Sequence, residues 1–349
     1  MNRAYDPNSP STTAAPWIRV VIVNYNGRGF LQPCVDALAA QTMPDFEAVI
    51  VDNASTDGSV DALCLPDHRF TLARNPSNIG FAAANNIGAR HCKCAWIATL
   101  NPDTIPSAAW LEEARQGTIA YPDFQMFGAT LIDAADGTIV DGFGDCLSIT
   151  GIPWRGGNGH PVSTLPNSDG EVFAPCAAAA IYDREYFERA GGFDETFFCY
   201  VEDVDLGFRM RLLGARCMQL RHAIVHHHGS AITGKTSDFT IFHSFRNRLW
   251  MLRKNMPLSL LLLAAPANIL YSLLIIALAR RSLPAAAALK GLWDGVVKSP
   301  GTPSQRRSVR ADGLISTGDL LRMLVWNPLA LHKRPIQVFA IGHGGDAKW

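Results

Sequence analysis

Apolar residues along this 349-residue chain alternate between short continuous runs and helix-spaced stretches. Trp17–Val23 is an apolar run ending in Asn24-Tyr25-Asn26-Gly27, which predicts a buried strand entering a loop. Phe30–Ala40 carries helical spacing, and Phe46–Val51 predicts a second strand ending at Asp52-Asn53. Asp57-Gly58-Ser59 offers N-cap chemistry for a helix after it. Phe70–Ala73 predicts a third strand, Phe81–Arg90 a helix, and Trp96–Leu100 a fourth strand ending at Asn101-Pro102-Asp103. Strands alternating with helices predict an α/β domain, a mainly parallel sheet with helices on both faces. Such sheets bind ligands beyond the carboxyl ends of their strands, where these polar clusters fall.

Residues 133–171 are dense in Gly, Pro, Asp and Asn and include Trp154-Arg155-Gly156-Gly157. They read as a long connection with two short strands and a mobile loop. Tyr182–Ala190 and Val204–Leu213 predict helices separated by Gly191-Gly192. Cys217–Val225 predicts a strand ending in His226-His227-His228-Gly229, and Phe239–Leu252 a helix. After Arg253-Lys254 the composition changes. Pro257–Ala279 has no formal charge and basic residues at both ends, a length that can just span a bilayer. Pro266 and Asn268 in its middle favour instead a helix lying on or dipping into a membrane, together with Ala285–Val297. The expected divisions are a disordered tail at 1–16, an α/β domain at 17–255, membrane-associating helices at 256–298, and a basic linker and tail at 299–349, whose end carries no readable motif.

Composition narrows the classes. Lys+Arg and Asp+Glu are both 31, so no bulk basic field exists to hold nucleic acid. The eight cysteines form no CxxC pair, which points to a reducing, cytosolic compartment. His91-Cys92-Lys93-Cys94 lacks a second ligand pair at finger spacing, so no zinc finger is expected there.

Several clusters can carry chemistry. Asp103, at a strand end behind Pro102, can reach a divalent metal, although the same residues make an ordinary turn. Asp52 can accept the imide N–H of a pyrimidine, or simply close its loop. Tyr200-Val201-Glu202-Asp203-Val204-Asp205 sets three acids before a helix; adjacent Glu202 and Asp203 point different ways, so at most one is a general base. His226 and His228 lie two apart, hence on one face of their strand, where a metal ligand can come from. Gly229–Thr236 matches the phosphate loop G-x-x-x-x-G-K-[ST], but apolar helix and basic linker follow where further strands would be needed.

Six of these segments in order resemble glycosyltransferase family 2, in its rhamnosyltransferase-like branch: Val21–Gly27, Val51–Ser59, Asn78–Asn85, Asn101–Asp103, Glu202–Leu206 and His226–Gly229. The resemblance runs from about Ile18 to Lys254 and implies the glycosyltransferase-A fold with inverting, metal-assisted transfer. It implies that Asp52 binds the base beside Asn24 and Asn26, while Asn78, Gly80 and Asn85 line the nucleotide–sugar pocket. Asp103 would hold Mg²⁺ or Mn²⁺ as the last acid of the family's Asp-x-Asp, whose first acid is Asn101 here, with His226 or His228 assisting. Asp203 would be the general base with Glu202 nearby, and Arg246, Asn247 and Arg248 would meet diphosphate or anionic lipid. The implied partners are a nucleoside diphosphate sugar, a saccharide or lipid-linked saccharide, and the inner membrane surface. A nucleotide hydrolase built on Gly229–Thr236 and a non-catalytic membrane scaffold are the alternatives.

Overall fold

Every residue of β1 (Ile18–Asn24) is buried, as a strand covered on both faces must be. The computed structural model describes residues 15–229, 234, 236–279, 283–298 and 315–339. The elements after β1 are α1 (Leu31–Ala39), β2 (Phe46–Asp52), β3 (Phe70–Arg74), α2 (Phe81–Ala89), β4 (Trp96–Leu100), β5 (Thr104–Pro106) and α3 (Trp110–Ala120). Next come β6 (Met126–Asp133), β7 (Val140–Gly142), β8 (Asp145–Leu147), β9 (Pro153–Arg155), β10 (Gly170–Glu171), β11 (Ala179–Asp183), α4 (Arg184–Arg189) and α5 (Glu202–Leu212). The remainder is β12 (Cys217–His227), α6 (Asp238–Asn255), α7 (Leu258–Leu278), α8 (Ala285–Val297), α9 (Thr317–Arg322) and α10 (Ala330–Lys333).

The main sheet runs β10-β12-β6-β11-β4-β1-β2-β3, with β5 added to β12 and β7 to β6. Strands β3, β2, β1 and β4 are mutually parallel, and β11 enters antiparallel between β4 and β6. Alternate residues of β1 feed two cores. Ile18, Val20 and Ile22 pack with Leu31, Leu38, Trp110 and Leu111 of α1 and α3. Val21 and Val23 pack with Ala82, Ala84, Leu206 and Met210 of α2 and α5.

Three expectations are corrected. Residues 53–64 form turns and no helix, because the Asp57 carboxylate takes Ser59 N and Oγ at 3.0 and 2.6 Å and Arg28 N at 2.7 Å, closing a loop. Tyr182 belongs to β11; α4 begins after Asp183, whose side chain caps Tyr186 N. Residues 133–171 hold four short strands, β7 to β10, where two were expected. The tail without a motif also folds: Leu320 and Leu324 join the core of Phe173, Phe208 and Leu252. Residues 334–339 reach the 133–171 segment, with Gly157 N on Arg334 O, Trp154 Nε1 on Pro335 O, and Phe339 N on Glu171 O. The expected disordered tail falls at 1–14 and the basic linker at 299–314 outside the described residues.

α7 continues unbroken through Pro266. Its buried residues Ala264, Asn268, Ser272 and Ile276 recur every four positions, one helical face. Asn268 Nδ2 donates to Thr150 O, which ties that face to the α/β domain. Leu262, Leu263, Leu270, Leu274 and Leu278 are exposed on the rest of the helix.

Candidate active site

Strand ends and one strained loop build a cavity of about 820 Å³. From β1, β2 and the turn before α2 come Asn26, Asn53, Asn78 and Gly80; from the end of β4, Asn101 and Asp103. Asp145, Trp154, Arg155 and Cys176 form another wall, and Glu202, Asp203, His227 and Arg248 complete the lining. Asp103 and Asp203, a hundred positions apart, therefore face one space.

Asp103 is set by sheet pairing. β5 pairs antiparallel with the end of β12, placing Thr104 opposite His227, and His228 N donates to Asp103 O at 3.0 Å. The His227 imidazole then stands between two acids: Nε2 is 3.4 Å from Asp103 Oδ1, and Nδ1 is 2.7 Å from Asp141 Oδ2. Burial pushes this imidazole toward neutrality, but its bonds to Asp103 and Asp141 override that and raise its pKa. Arg155 Nη1 holds the same Asp141 oxygen at 2.6 Å.

The strand alternates, so the histidines divide. His227 faces the cavity, whereas His226 and His228 are not among its lining residues. His228 instead is exposed and stacks against Phe30, with ring centroids 5.1 Å apart. Of the three histidines, the structure therefore brings His227, and not His226 or His228, to the cavity beside Asp103.

Asp203 is reached through unusual backbone. Phe198, Tyr200 and Val201 have φ of 67°, 71° and 70°, a left-handed conformation that costs bulky residues about 1–3 kcal/mol each. Asn247 of α6 holds this loop, its Nδ2 lying within 3.0, 2.9 and 2.7 Å of the carbonyls of Phe197, Cys199 and Tyr200. Gly80, at φ 90°, lets the loop approach α2, since a Cβ there would meet the Phe198 ring and carbonyl at 2.7 Å. The Asp203 carboxylate is oriented by backbone donors, Val204 N to Oδ1 at 2.8 Å and Ala177 N to Oδ2 at 3.1 Å. Its neighbour Glu202 is buried, and burial followed by the Asp203 charge raises its carboxyl pKa well above the usual range. The third acid, Asp205, points away: it meets Arg209 Nε at 2.8 Å and Lys254 Nζ at 3.0 Å, locking α5 to α6.

Asn24, Asp52 and Asn85 do not line the cavity, contrary to expectation. Asp52 Oδ1 takes Ser55 Oγ at 2.6 Å and Asn24 Nδ2 at 3.2 Å, so both side chains are committed to the 53–59 loop. Asn85 turns back along α2 to Phe81 O. Asn53 lines the cavity in Asp52's place, held by Asn75 and by Gly80 O. Asn26, Asn78, Gly80 and Asn101 lie at the cavity as expected. Asn53, Asp145, Cys176 and His227 were not named as site residues; of these Asn53 and His227 lay in clusters that the sequence singled out. Asp145, Cys176 and Asp203 bring ligand-type atoms within 4.8 Å of one another, beside Arg155.

The Gly229–Thr236 loop falls largely outside the described residues, and among the described residues no named strand follows it. Residues 19–122 match the family described as Glycosyl transferase family 2. The matched segment runs from β1 to just beyond α3. The chain is 29% identical over 233 residues to the O-antigen biosynthesis protein RfbC of Myxococcus xanthus, a match covering 62% of this chain but 18% of that protein. It is 25% identical over 240 residues to N-acetylglucosaminyl-diphospho-decaprenol L-rhamnosyltransferase of Mycobacterium tuberculosis, covering 62% of this chain and 77% of that one. Among solved structures it is similar to mannosyltransferase PcManGT from Pyrobaculum calidifontis, in complex with GDP-Man and Mn²⁺, with TM-score 0.51, 19% identity and 88% of each chain covered. The fold is thus of the glycosyltransferase-A type.

Proposed function

We propose that this protein transfers a sugar, with inversion, from a nucleoside diphosphate sugar to a hydroxyl of a saccharide or lipid-linked saccharide in cell-surface polysaccharide synthesis. The observation that carries the reading is the convergence of Asp103, His227 and Asp203 on one cavity bounded by the motif residues Asn26, Asn78 and Gly80. The printed names of the relatives add support, one being an L-rhamnosyltransferase that acts on a diphospho-decaprenol sugar. Rhamnose is accordingly the first donor sugar to try.

The residues fit a divalent metal. His227 Nε2 is buried and stands 3.4 Å from Asp103 Oδ1, while Asp141 fixes the imidazole from behind, the usual support for a metal-binding histidine. Asp103 and His227 would hold Mg²⁺ or Mn²⁺, which when bound neutralises the donor diphosphate. Asn101, in place of an acid, removes one charge from that set.

Asp203 acts as the general base. Two backbone N–H groups fix its carboxylate, and it accepts the acceptor's hydroxyl proton as that oxygen attacks the sugar. Burial and the neighbouring Asp203 charge push Glu202 toward its neutral form, which limits the negative charge beside the base. The cavity walls at Trp154 and Phe198 exclude water that would otherwise compete as acceptor.

The exposed leucines of α7 support peripheral attachment to the inner face of the membrane. α7 is long and apolar enough to cross a membrane. Its polar inner stripe, Asn268 and Ser272, is hydrogen-bonded to the rest of the protein, which favours a helix lying in the interface.

The test is release of nucleoside diphosphate from a panel of nucleotide sugars with a saccharide acceptor. Turnover should require Mn²⁺ or Mg²⁺ and vanish in Asp103→Ala and Asp203→Asn, with thermal unfolding unchanged. Metal-independent turnover, or full activity in Asp203→Asn, rejects the reading.

A further inference from the structure

Among the described residues, buried Arg and Lys side chains are matched by carboxylates, with one exception. Arg19 pairs with Glu47, Arg209 with Asp205, Arg211 with Glu171, and Lys254 with Asp194 and Asp205. Arg248 is as buried as these, only 8% exposed, yet no carboxylate among the described residues forms an ion pair with it. Its guanidinium lies over the Phe245 ring at 4.1 Å and one nitrogen donates to Ser272 Oγ of α7. Its Nε is buried and makes no hydrogen bond. Burial lowers its pKa to about 10, which still leaves the group charged at neutral pH.

An uncompensated buried guanidinium is costly, and here it borders the reaction cavity. A planar fork of N–H donors matches phosphate oxygens in particular. We infer that Arg248 binds the phosphate group through which a lipid carries the acceptor saccharide. This rests on the transferase reading above and names the class of its acceptor.

Position separates this phosphate from that of the donor. The family motifs lining the nucleotide side, Asn26, Asn53, Asn78 and Gly80, come from β1, β2 and the turn before α2. Arg248 comes from α6, on a wall shared with Ser237, Phe239 and Ser244. It is anchored to the inner face of α7, the helix whose other faces expose Leu263, Leu270, Leu274 and Leu278. A guanidinium on the cavity wall, backed by an apolar helix, fits an anionic head joined to a hydrocarbon chain. A soluble sugar acceptor would use neither feature.

Binding of farnesyl diphosphate, farnesol, inorganic pyrophosphate and UDP, dTDP or GDP with Mn²⁺ tests this, measured by calorimetry on the full chain in detergent. Farnesyl diphosphate should bind the wild type more tightly than farnesol or pyrophosphate. Arg248→Gln should weaken farnesyl diphosphate by about tenfold or more while leaving the nucleoside diphosphates within about twofold. Arg248→Lys should recover part of the loss, and Ser272→Ala, which keeps the charge but frees its anchor, should fall between. If Arg248→Gln does not fold, Ser272→Ala and Arg248→Lys decide. Wild-type farnesyl diphosphate affinity in Arg248→Gln overturns the assignment, as does equal binding of farnesol. Equal weakening of the nucleoside diphosphates makes Arg248 a donor residue and also overturns it. A wild type that binds nucleoside diphosphate but no farnesyl diphosphate sinks this inference alone. One that binds farnesyl diphosphate but no nucleoside diphosphate sinks the transferase reading and leaves Arg248 standing.

Discussion

Asn247 Nδ2 donates to Tyr200 O at 2.7 Å, and through that bond a helix after the catalytic sheet governs the loop that presents Asp203. Three residues of that loop hold left-handed backbone, so it needs an external restraint. Asn247→Ala should remove three hydrogen bonds from the loop and cost about 2 kcal/mol of stability. Transfer should drop by more than the loss of folded protein accounts for, with nucleoside diphosphate affinity little changed. A combined melting and kinetic series checks this.

The divided histidines give a sharp contrast. His227→Ala should weaken Mn²⁺ activation by about 10- to 100-fold, whereas His226→Ala and His228→Ala should stay within a few-fold of wild type. Activity titrated against Mn²⁺ reads this directly. Loss in His228→Ala with His227→Ala intact would return the ligand to the residue first expected.

Gly80 has no room for a methyl group. Gly80→Ala combines a positive φ with a 2.7 Å approach to Phe198, and should destabilise by about 2 kcal/mol or more. Gly29, also at positive φ but with nothing within 4 Å, is the control: Gly29→Ala should cost only about 1 kcal/mol. Denaturant titration distinguishes the two.

Acid stability should trace to Asp194. Burial alone would raise its pKa, but Lys254, 2.6 Å away, overrides this and holds it below the usual 3.8. A carboxylate depressed on folding stabilises above its unfolded pKa, and that contribution is lost as pH falls through the folded value. Asp194→Asn should therefore destabilise by about 1–3 kcal/mol at pH 7, because Lys254 keeps only Asp205 as a buried partner. The gap from wild type should narrow below pH 3.8. Melting temperature measured across pH 2.5–7 follows both (roughly the carboxylate titration range and above it).

The bare leucines of α7 should drive vesicle binding. Replacing Leu263, Leu270 and Leu274 with serine should abolish cosedimentation with anionic vesicles and leave the melting temperature within a few degrees, since these side chains are exposed. Unchanged cosedimentation would reject membrane attachment through this face.

The parallel half of the sheet was readable because β1, β2 and β4 are each apolar along their length, the pattern of a strand covered on both sides. Asp103 and Asp203 were readable because strand ends and helix starts carry their own signals. The identity of the paired histidine was not. It follows from three residues of β5 meeting β12, too short a strand to show any period. Asp52 falls outside the cavity lining because the same serines that mark its motif, Ser55 and Ser59, occupy Asp52 and Asn24. The wall of Asp145, Trp154 and Arg155 lies on three-residue strands whose form depends on partners elsewhere in the chain. Such strands carry little local propensity of their own.

Pro335 O receives Trp154 Nε1 and Arg334 O receives Gly157 N, so the strip carrying Trp154 and Arg155 leans on residues near position 335. During synthesis the parallel half of the sheet can pair long before those residues leave the ribosome. That wall of the cavity must wait for them, which makes it the last part of the site to acquire its shape and the first that a premature stop would leave unfinished.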